Sequence, residues 1–455
     1  MMRRFVPLLL AAIFLACGDS DPGTTADATG DLGAPDVATT DTAGGADSQP
    51  GPDAAGPDTP GTPDGATPDS AADGSTAGPD VPADTGAPQT SGPQLTELGT
   101  IELDPSTGLS APLTLTLPSD AVSLAITALG ATGIGLSVED LRAPDSQVLM
   151  PLNWTKSPQN GGGQVCVTCL NRASSAQAAS ATMVPMAPTL SVAPGGTYTF
   201  RVFGYTTTGS GFFQTQVPYG GPIQVGVTWK EAPGAALPPD GVIDLNLHFT
   251  GSDGLNAGGA PFDTRIKKAL ADFEAAYAQA GIRIGRITYR DIDPIYQVVD
   301  GYLGPDNDFE AAARQTAGSP PGINLIFVRE ILDTASSAGA FGFILGISGG
   351  IPGPIGYTGN GRSAVIIDGS PPAGTGDSTV GLTMAHEVGH FLGLFHSSEF
   401  PSFNQLHDPI PDTPENDTSN LMYFEGGSAG AKLSPQQSAV MRGNPWIRNV
   451  EEDAK

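Results

Sequence analysis

A long acidic segment limits which part of the chain can fold. Residues 18–93 contain fourteen Asp but no Glu, Lys, Arg or aromatic residue, and Leu32, Val37 and Val81 are their only larger aliphatic residues. Such a segment buries too little apolar surface to offset the entropy lost when a chain becomes ordered. We therefore expect residues 18–93 to form a disordered linker and the folded part to begin at residue 94.

The charge of the remaining chain excludes one class of partner. The linker carries half of the formal net charge of -28, and residues 94–455 combine 34 acidic with 18 basic residues. A surface that binds nucleic acid needs clustered Lys and Arg to displace counterions from phosphates, and the sequence has no such cluster. We expect no nucleic-acid partner. Gly and Pro follow no three-residue period and no heptads repeat, which excludes collagen-like and coiled-coil classes.

The N-terminus has the features of an export signal. Residues 1–17 read MMRRFVPLLLAAIFLAC, with two Arg before an apolar run of twelve residues from Phe5 to Ala16. A membrane-spanning helix needs about 20 apolar residues, so this run is too short to be one. The segment resembles a bacterial lipoprotein signal, which implies cleavage before Cys17, lipidation of Cys17 and anchoring to the outer membrane or cell surface. An ordinary secretory signal, with release of the protein, is the alternative.

The other two cysteines are Cys166 and Cys169, in the order Cys-Val-Thr-Cys. In an exported protein this spacing favours a small-loop disulfide, because no second cysteine pair is present to complete a four-ligand zinc site. A zinc half-site and a redox-active pair stay open as alternatives.

Residues 94–232 show an alternation of apolar and polar side chains with a period of two. Leu113, Leu115 and Leu117 alternate with threonines, and the same pattern returns at residues 198–202 and 223–229. Short alternating strands separated by Gly, Pro and Ser predict an antiparallel β-sandwich. We therefore predict an accessory all-β sandwich domain over residues 94–232.

The pattern changes after the linker-like sequence EAPGAALPPD at residues 231–240. The predicted elements are strands at 242–249, 282–291, 323–331 and 363–368, and helices at 263–280 and 379–393. Ile266, Leu270, Phe273 and Tyr277 recur at helical spacing in the first helix, which Gly281 ends. This order of elements predicts a second, α/β domain with one twisted sheet over residues 233–455.

The second predicted helix carries side chains that can bind a metal ion. Its sequence from His386 to His396 is HEVGHFLGLFH. Positions i and i+4 lie on one face of a helix, so His386 and His390 can offer two imidazoles to one metal. Glu387 follows the first His, where its carboxylate can act on a water molecule as a general base without being a ligand.

Gly393 is expected to end this helix, because glycine adopts the left-handed conformation at little cost and lets the chain reverse. The reversal can bring His396 back as a third ligand. Three protein ligands leave the fourth tetrahedral position of zinc for water. A lone His on an apolar helix is more often a core residue, but the full register of three His, one Glu and one Gly argues against that interpretation.

HEVGHFLGLFH matches the extended zinc motif of the metzincin peptidases. The resemblance implies a metzincin-like fold with a twisted mixed sheet and an active-site helix. It also implies that the three His bind Zn²⁺ and that Glu387 polarises the attacking water. The sequence NLMYF resembles the Met-containing turn of the metzincins, which implies that Met422 lies beneath the metal.

Within the metzincins, the segment DPIPDTP at 408–414 and the strand GINLIFV at 322–328 resemble the pappalysin family. That family has Tyr two residues after the Met, where Phe424 stands here, and Tyr423 is the alternative candidate for stabilising the oxyanion. Ser397 and the Leu-Met-Tyr sequence look more like the matrixins, although the spacing from His396 to Met422 is longer than a matrixin would use.

Four acidic residues cluster between the third His and the Met, namely Asp408, Asp412, Glu415 and Asp417. Oxygen ligands close in sequence are the kind that Ca²⁺ prefers. A calcium site with Asp408 and Asp412 is one interpretation, and a solvated acidic loop is the other. His407 receives no role.

Together these features predict a zinc-dependent endopeptidase that hydrolyses peptide bonds of extracellular proteins, with the substrate extended along the edge of the sheet. The alternative belongs to another class: a surface binding or adhesion lipoprotein whose zinc site is structural or vestigial. A fourth protein ligand such as His407 or Asp408 would favour the alternative, because closed structural zinc sites have four protein ligands.

Overall fold

The structure, a computed structural model, describes residues 93–152, 170–208, 215–301, 308–332, 344–371, 375–399, 406–424 and 430–450. All of them belong to one compact unit. The predicted signal with Cys17, the predicted linker up to residue 92, and the pair Cys166 and Cys169 lie outside the described residues. Among the described helices, none combines the length and the hydropathy that crossing a membrane requires.

The described part of residues 95–231, here called the β-region, is built from antiparallel strands. They are β1 (Leu95–Glu102), β2 (Leu113–Thr116), β3 (Ala121–Leu129), β4 (Gly135–Arg142), β5 (Val148–Met150), β6 (Ala173–Gln177), β7 (Ala179–Val184), β8 (Thr197–Thr208), β9 (Thr215–Pro218) and β10 (Pro222–Glu231). Their order is β1-β10-β3-β7-β6-β4-β8-β2, with β5 beside β4 and β9 beside β8.

The two halves of the β-region are continuous with each other. A short pairing between β4 and β6 at Gly135 and Leu136 joins them, whereas the sequence pattern alone suggested two separate sheets. Ile126 and Val227 from one half and Val138 and Val202 from the other half belong to the same buried core. The halves therefore face each other across shared apolar side chains.

Residues 241–448, here called the C-terminal region, mix helices and strands. The helices are α1 (Thr264–Ala278), α2 (Asp308–Arg314), α3 (Thr379–Phe391) and α4 (Pro435–Gly443). The strands are β11 (Gly241–Phe249), β12 (Ile282–Asp291), β13 (Val298–Asp300), β14 (Ile323–Val328), β15 (Glu330–Leu332), β16 (Gly346–Ser348), β17 (Val365–Asp368), β18 (Ser398–Glu399), β19 (Leu406–His407) and β20 (Ile447–Arg448).

The main sheet of the C-terminal region has the order β12-β11-β14-β17-β16, with β20 beside β11. The strands β12, β11, β14 and β17 are parallel, while β16 and β20 pair antiparallel with their neighbours. Every residue of the central strand β11 is buried, as expected for an inner strand covered on both faces. The region is a mixed α/β structure in which β16 ends the sheet.

The predicted elements agree in part with those observed. The strand β12 has the predicted bounds, and α1 lies within its predicted range, with Asp263 accepting the Arg265 N–H at its start. Gly281 has a φ of 70°, the left-handed conformation that ends the helix. The predicted strand at 323–331 is wrong in extent, because the chain leaves the main sheet after Val328 and β15 pairs with β13 instead.

The helix α1 packs against α3. The hydroxyl of Tyr277 donates to the carbonyl of Ala385 at 3.0 Å in a fully buried position. The helices approach closely at Gly381, where a Cβ would lie 2.6 Å from the Cβ of Asp272. The position of α3 therefore depends on the absence of a side chain at this contact.

The β-region and the C-terminal region share a buried contact. Ala125 of β3 belongs to the core of the C-terminal region, and Thr127 Oγ1 accepts the N–H of Ile355 at 3.1 Å. Lys230 is 5% exposed, and its Nζ donates to the carbonyls of Arg442 and Ile447, each at 2.7 Å. Both faces of β3 are largely buried as a result.

A pH-dependent stability follows from His248, which is buried in β11 with Nε2 3.0 Å from Asn324 Oδ1. Burial lowers the pKa of His248 to about 4. Below about pH 6.5, His248 therefore binds a proton in the unfolded chain but not in the folded chain. The free energy of unfolding decreases as the pH drops towards 4. We expect wild type to lose roughly 2 kcal/mol relative to His248→Gln between pH 7 and about pH 4.5.

Urea unfolding with excess chelator measures this difference without a contribution from metal loss. Other buried groups titrate in both proteins, so the difference between the two reports on His248. A difference that stays constant across this pH range would contradict the prediction.

Candidate metal centre

Three buried imidazoles converge at the end of α3. The Nε2 atoms of His386 and His390 are 3.0 Å apart, and Nε2 of His396 lies 3.2 Å from each of them. Zinc–nitrogen bonds of about 2.0–2.1 Å in a tetrahedral site put the ligand nitrogens about 3.3 Å apart, so this triangle fits a zinc ion. It is the one group of His, Cys, Asp and Glu side chains in the described part of the chain that could hold a metal ion.

Backbone carbonyls fix the tautomers of the two helical ligands. His386 Nδ1 is 2.7 Å from the carbonyl of Leu421, and His390 Nδ1 is 2.6 Å from the carbonyl of Leu394. A carbonyl only accepts, so each Nδ1 carries the proton and each Nε2 keeps its lone pair for the centre. Burial lowers the pKa of His386 to about 3, and it lowers the pKa of His390 well below its usual value. Neutral imidazole is the form that binds a metal.

Gly393 ends α3 and turns the chain towards His396. Its φ of 107° is a conformation that favours glycine. The N–H of Leu394 donates to the carbonyl of Gly389 at 3.0 Å, and the Leu394 carbonyl faces His390. The same turn therefore orients the second imidazole and carries the third.

The turn at Met422 packs against α3 and binds the residue after His396. The Met422 carbonyl accepts the N–H of Ser397 at 2.7 Å, and Asn420 Oδ1 accepts the N–H of Met422 at 2.8 Å. A Cβ at Gly389 would lie 2.7 Å from Met422 Sδ, so the sulfur packs directly on α3. Gly389 leaves room for the Met422 side chain between the two helical ligands.

The helix α4 supports this turn, although the sequence analysis did not identify it. Asn420 Nδ2 donates to Gln437 Oε1 at 3.0 Å. Gln437 also forms a capping box with Ser434 at the start of α4. Ser434 followed three residues later by Gln, with Pro435 between them, is a recognised helix start and could have predicted α4.

Glu387 has an environment unlike that of an ordinary carboxylate. It is completely buried, and neither carboxylate oxygen has a hydrogen-bond partner of normal geometry. Burial raises the pKa of Glu387 to about 8, and the nearby Ser348 N–H offsets part of this rise. A buried carboxylate without a partner is costly, and a cation beside it favours its charged form. The donor set and this carboxylate both suit a bound divalent metal.

Gly346 of the edge strand β16 packs against the side chain of Glu387. A Cβ at Gly346 would lie 2.6 Å from Glu387 Cγ and 2.8 Å from Thr383 Cγ2. The strand that begins at Gly346 was not predicted, because three residues give no periodic signal.

Tyr423 follows Met422 in the chain and is 7% exposed. Its ring centroid lies 4.7 Å from that of Phe424, at an angle of 47°. A role in stabilising an oxyanion stays a prediction for this residue.

Side chains of the acidic loop at 408–417 form hydrogen bonds with neighbouring residues. Asp408 Oδ1 accepts the Thr413 hydroxyl at 2.5 Å, while the two oxygens of Asp412 accept the Ser434 hydroxyl at 2.6 Å and the Gln436 N–H at 3.0 Å. Asp412 therefore stabilises the start of α4. In the described residues neither Asp joins a group of three His, Cys or acidic side chains, and calcium binding stays a prediction. His407 Nδ1 donates to the Ser397 carbonyl beside the third ligand.

Comparisons with known proteins point to metalloproteases. No family model matches the chain. A segment of 201 residues is 28% identical to an extracellular metalloprotease of Colletotrichum graminicola and covers 44% of this chain and 65% of that protein. Extracellular metalloprotease 1 of Coccidioides posadasii is 26% identical over 174 residues, which cover 38% of this chain and 58% of that protein. The chain thus spans less than two thirds of the length of these relatives.

Two further similarities are weaker. An extracellular metalloprotease of Podospora anserina is 23% identical over 200 residues, which cover 44% of this chain and 62% of that protein. Among solved structures, metalloproteinase-II from Bacteroides fragilis matches 48% of this chain and 62% of its own, at 16% identity and a TM-score of 0.28.

The contact between Gly389 and Met422 gives a testable prediction. In Gly389→Ala the new methyl group would lie 2.7 Å from Met422 Sδ, so the Met422 side chain must shift, and we expect this to disturb the turn whose Leu421 carbonyl faces His386. We expect zinc affinity to fall about tenfold, as for other losses of partners behind a metal ligand. Competition with a chromophoric chelator measures this.

Gly443→Ala is the matched control, because a Cβ at Gly443 of α4 meets nothing within 4 Å. Its zinc affinity should equal that of wild type. Equal affinities in all three proteins would contradict the prediction.

Proposed function

We propose that this chain is a zinc-dependent endopeptidase of the metzincin type that hydrolyses extracellular proteins. One observation carries the proposal: three imidazole nitrogens converge within 3.0–3.2 Å, and the residue after the first of these His carries a buried carboxylate without a hydrogen-bond partner of normal geometry. The similarity to proteins named extracellular metalloproteases supports the same class of reaction.

A zinc ion held by His386, His390 and His396 would supply a Lewis acid that polarises the scissile carbonyl and acidifies a water molecule. Glu387 accepts a proton from the attacking water at a carboxylate oxygen, while the oxygen of this water bonds to the carbonyl carbon. The C–N bond then breaks, and Glu387 delivers the proton to the leaving amine. The buried position of Glu387 keeps its proton from exchanging freely with bulk water.

The edge strand β16 suits an extended peptide substrate. It is the last strand in the order of the main sheet, and it pairs antiparallel with β17. An added strand would form main-chain hydrogen bonds with β16. Because Gly346 of β16 packs against Glu387, a peptide on this edge passes close to the general base.

The binding-module alternative requires a closed site with a fourth protein ligand. In the part of the chain that the structure describes, the metal-binding group contains only the three His. His407 Nδ1 binds the Ser397 carbonyl, and Asp408 Oδ1 binds Thr413. These contacts within the loop favour the open, catalytic site.

The more specific parts of the proposed function are supported by the amino-acid sequence alone. They include membership of the pappalysin family, the lipid anchor at Cys17, the disulfide between Cys166 and Cys169, and Tyr423 as an oxyanion donor. The pappalysin-like segment at 408–414 has a structural role consistent with this assignment. Asp412 in that segment binds Ser434 and Gln436 at the start of α4, which supports the Met422 turn.

The general-base role predicts the effect of changing Glu387. In Glu387→Gln and Glu387→Ala we expect one zinc ion per chain, as in wild type, because Glu387 is not a ligand. The rate of peptide cleavage should fall by about 10³-fold, within the range of general acid–base effects. Mass spectrometry of a cleaved peptide library, with metal analysis of the same samples, tests both points.

Undiminished cleavage by Glu387→Ala would refute the role of this residue. Wild type that holds stoichiometric zinc and cuts none of the library would refute the endopeptidase proposal.

The contact of Gly346 with Glu387 predicts a second effect on the rate. A methyl group in Gly346→Ala would lie 2.6 Å from Glu387 Cγ and displace the carboxylate. We expect kcat to fall about 10²-fold, as for a misplacement of about 1 Å, with zinc content unchanged. Gly369→Ala is the control, since a Cβ there meets its nearest atom at 3.4 Å. Equal kcat values for the two variants would show that Gly346 does not position the base.

A further inference from the structure

Arg172 of the β-region lies against the turn that carries the third candidate ligand. This Arg is 4% exposed, and its Cζ is 4.3 Å from the centre of the Phe395 ring. A guanidinium over an aromatic ring is attracted by the ring quadrupole, and the attraction increases where water is excluded. Phe395 directly precedes His396, so this contact fixes the backbone next to the ligand.

Asp408 is linked to the residue on the other side of His396. Its carboxylate is buried, and its backbone N–H donates to the carbonyl of Ser397, which follows His396, at 3.4 Å. Burial raises the pKa of Asp408 to about 6, and the charge of Arg172 is among the influences that oppose this rise. Arg172 thus packs on the residue before His396, while the Asp408 loop binds the residue after it.

The third ligand lies outside the helix that carries the other two. His386 and His390 are fixed by the backbone of α3, whereas His396 lies in the turn beyond the helix. The β-region also covers the start of this turn, because a Cβ at Gly393 would lie 3.3 Å from Met183 Cε and 3.8 Å from Met186 Cε. Side chains of the β-region thus cover the segment from Gly393 to Phe395.

We propose that Arg172 is a positioning residue for His396, so that the metal centre extends into the β-region. This inference rests on the metal site of the proposed function and not on peptidase activity. The β-region then contributes to metal affinity as well as to folding. The contact of Arg172 with Phe395 limits the positions that the third imidazole can adopt.

Zinc and cobalt binding to the full chain test the proposal without an activity assay. Arg172→Met removes the cation but keeps an apolar side chain of similar length. We expect its zinc dissociation constant, from chelator competition, to rise about tenfold. Arg172→Lys keeps a cation near the ring but loses the planar stacking, and it should lie between Arg172→Met and wild type. The visible absorption of bound Co²⁺ should change in Arg172→Met, because it reports on ligand geometry.

Lys230→Met is the matched control. Lys230 is also a buried cation at the contact between the two regions, but it binds the carbonyls of Arg442 and Ile447. Loss of Lys230 should lower the unfolding midpoint while leaving the zinc dissociation constant within about twofold of wild type and the Co²⁺ spectrum unchanged. This control therefore separates an effect specific to Arg172 from a general weakening of the contact between the β-region and the C-terminal region.

Two outcomes would overturn the inference: a zinc dissociation constant for Arg172→Met within twofold of wild type, or equal weakening in Arg172→Met and Lys230→Met. If Arg172→Met does not fold, Arg172→Lys and Phe395→Leu decide, and unchanged zinc binding in both overturns it. Wild type that fails to bind zinc would remove the proposed function as well, whereas wild type that binds zinc equally with its Arg172 variants removes only this inference.

Discussion

The convergence of three neutral imidazole nitrogens is the constraint on which the rest of the C-terminal region depends. Lone pairs directed at one point repel each other unless a cation lies between them. Holding His386, His390 and His396 in this arrangement therefore needs rigid support. Hydrogen bonds to the carbonyls of Leu421 and Leu394 provide it for the first two. Because both carbonyls come from turns, the helix alone does not define the site.

The supporting elements are distant in sequence and meet around α3. Tyr277 of α1 binds the backbone of α3, Asn420 links the Met422 turn to Gln437 of α4, and Arg172 of the β-region packs on the turn after α3. Each contact uses a different interaction: a buried hydroxyl, a pair of amides and a guanidinium over a ring. A buried site of this kind relies on a rigid surrounding shell as well as on the ligands themselves.

Sequence patterns predicted the parts of this arrangement that repeat locally. The spacing of His386 and His390 requires a helix, and Gly281 and Gly393 mark ends that positive φ values account for. The helix α4 and the strand β16 were not predicted, because nine and three residues carry little periodic signal. The contact of Thr127 of β3 with Ile355 was also not predicted, because the two residues are 228 positions apart and leave no signal in a local pattern.

The contact made by Lys230 has a consequence for the segment at 231–240. Its composition is that of a flexible hinge, but the ammonium group at its beginning binds carbonyls of Arg442 and Ile447 near the end of the described chain. Arg442 in turn donates to the carbonyl of Pro238 within the segment at 3.0 Å. Lys230, just before this segment, and Pro238, within it, thus both bind Arg442 at the C-terminal end of α4. The segment at 231–240 therefore holds the two regions in contact and does not act as a free linker between them.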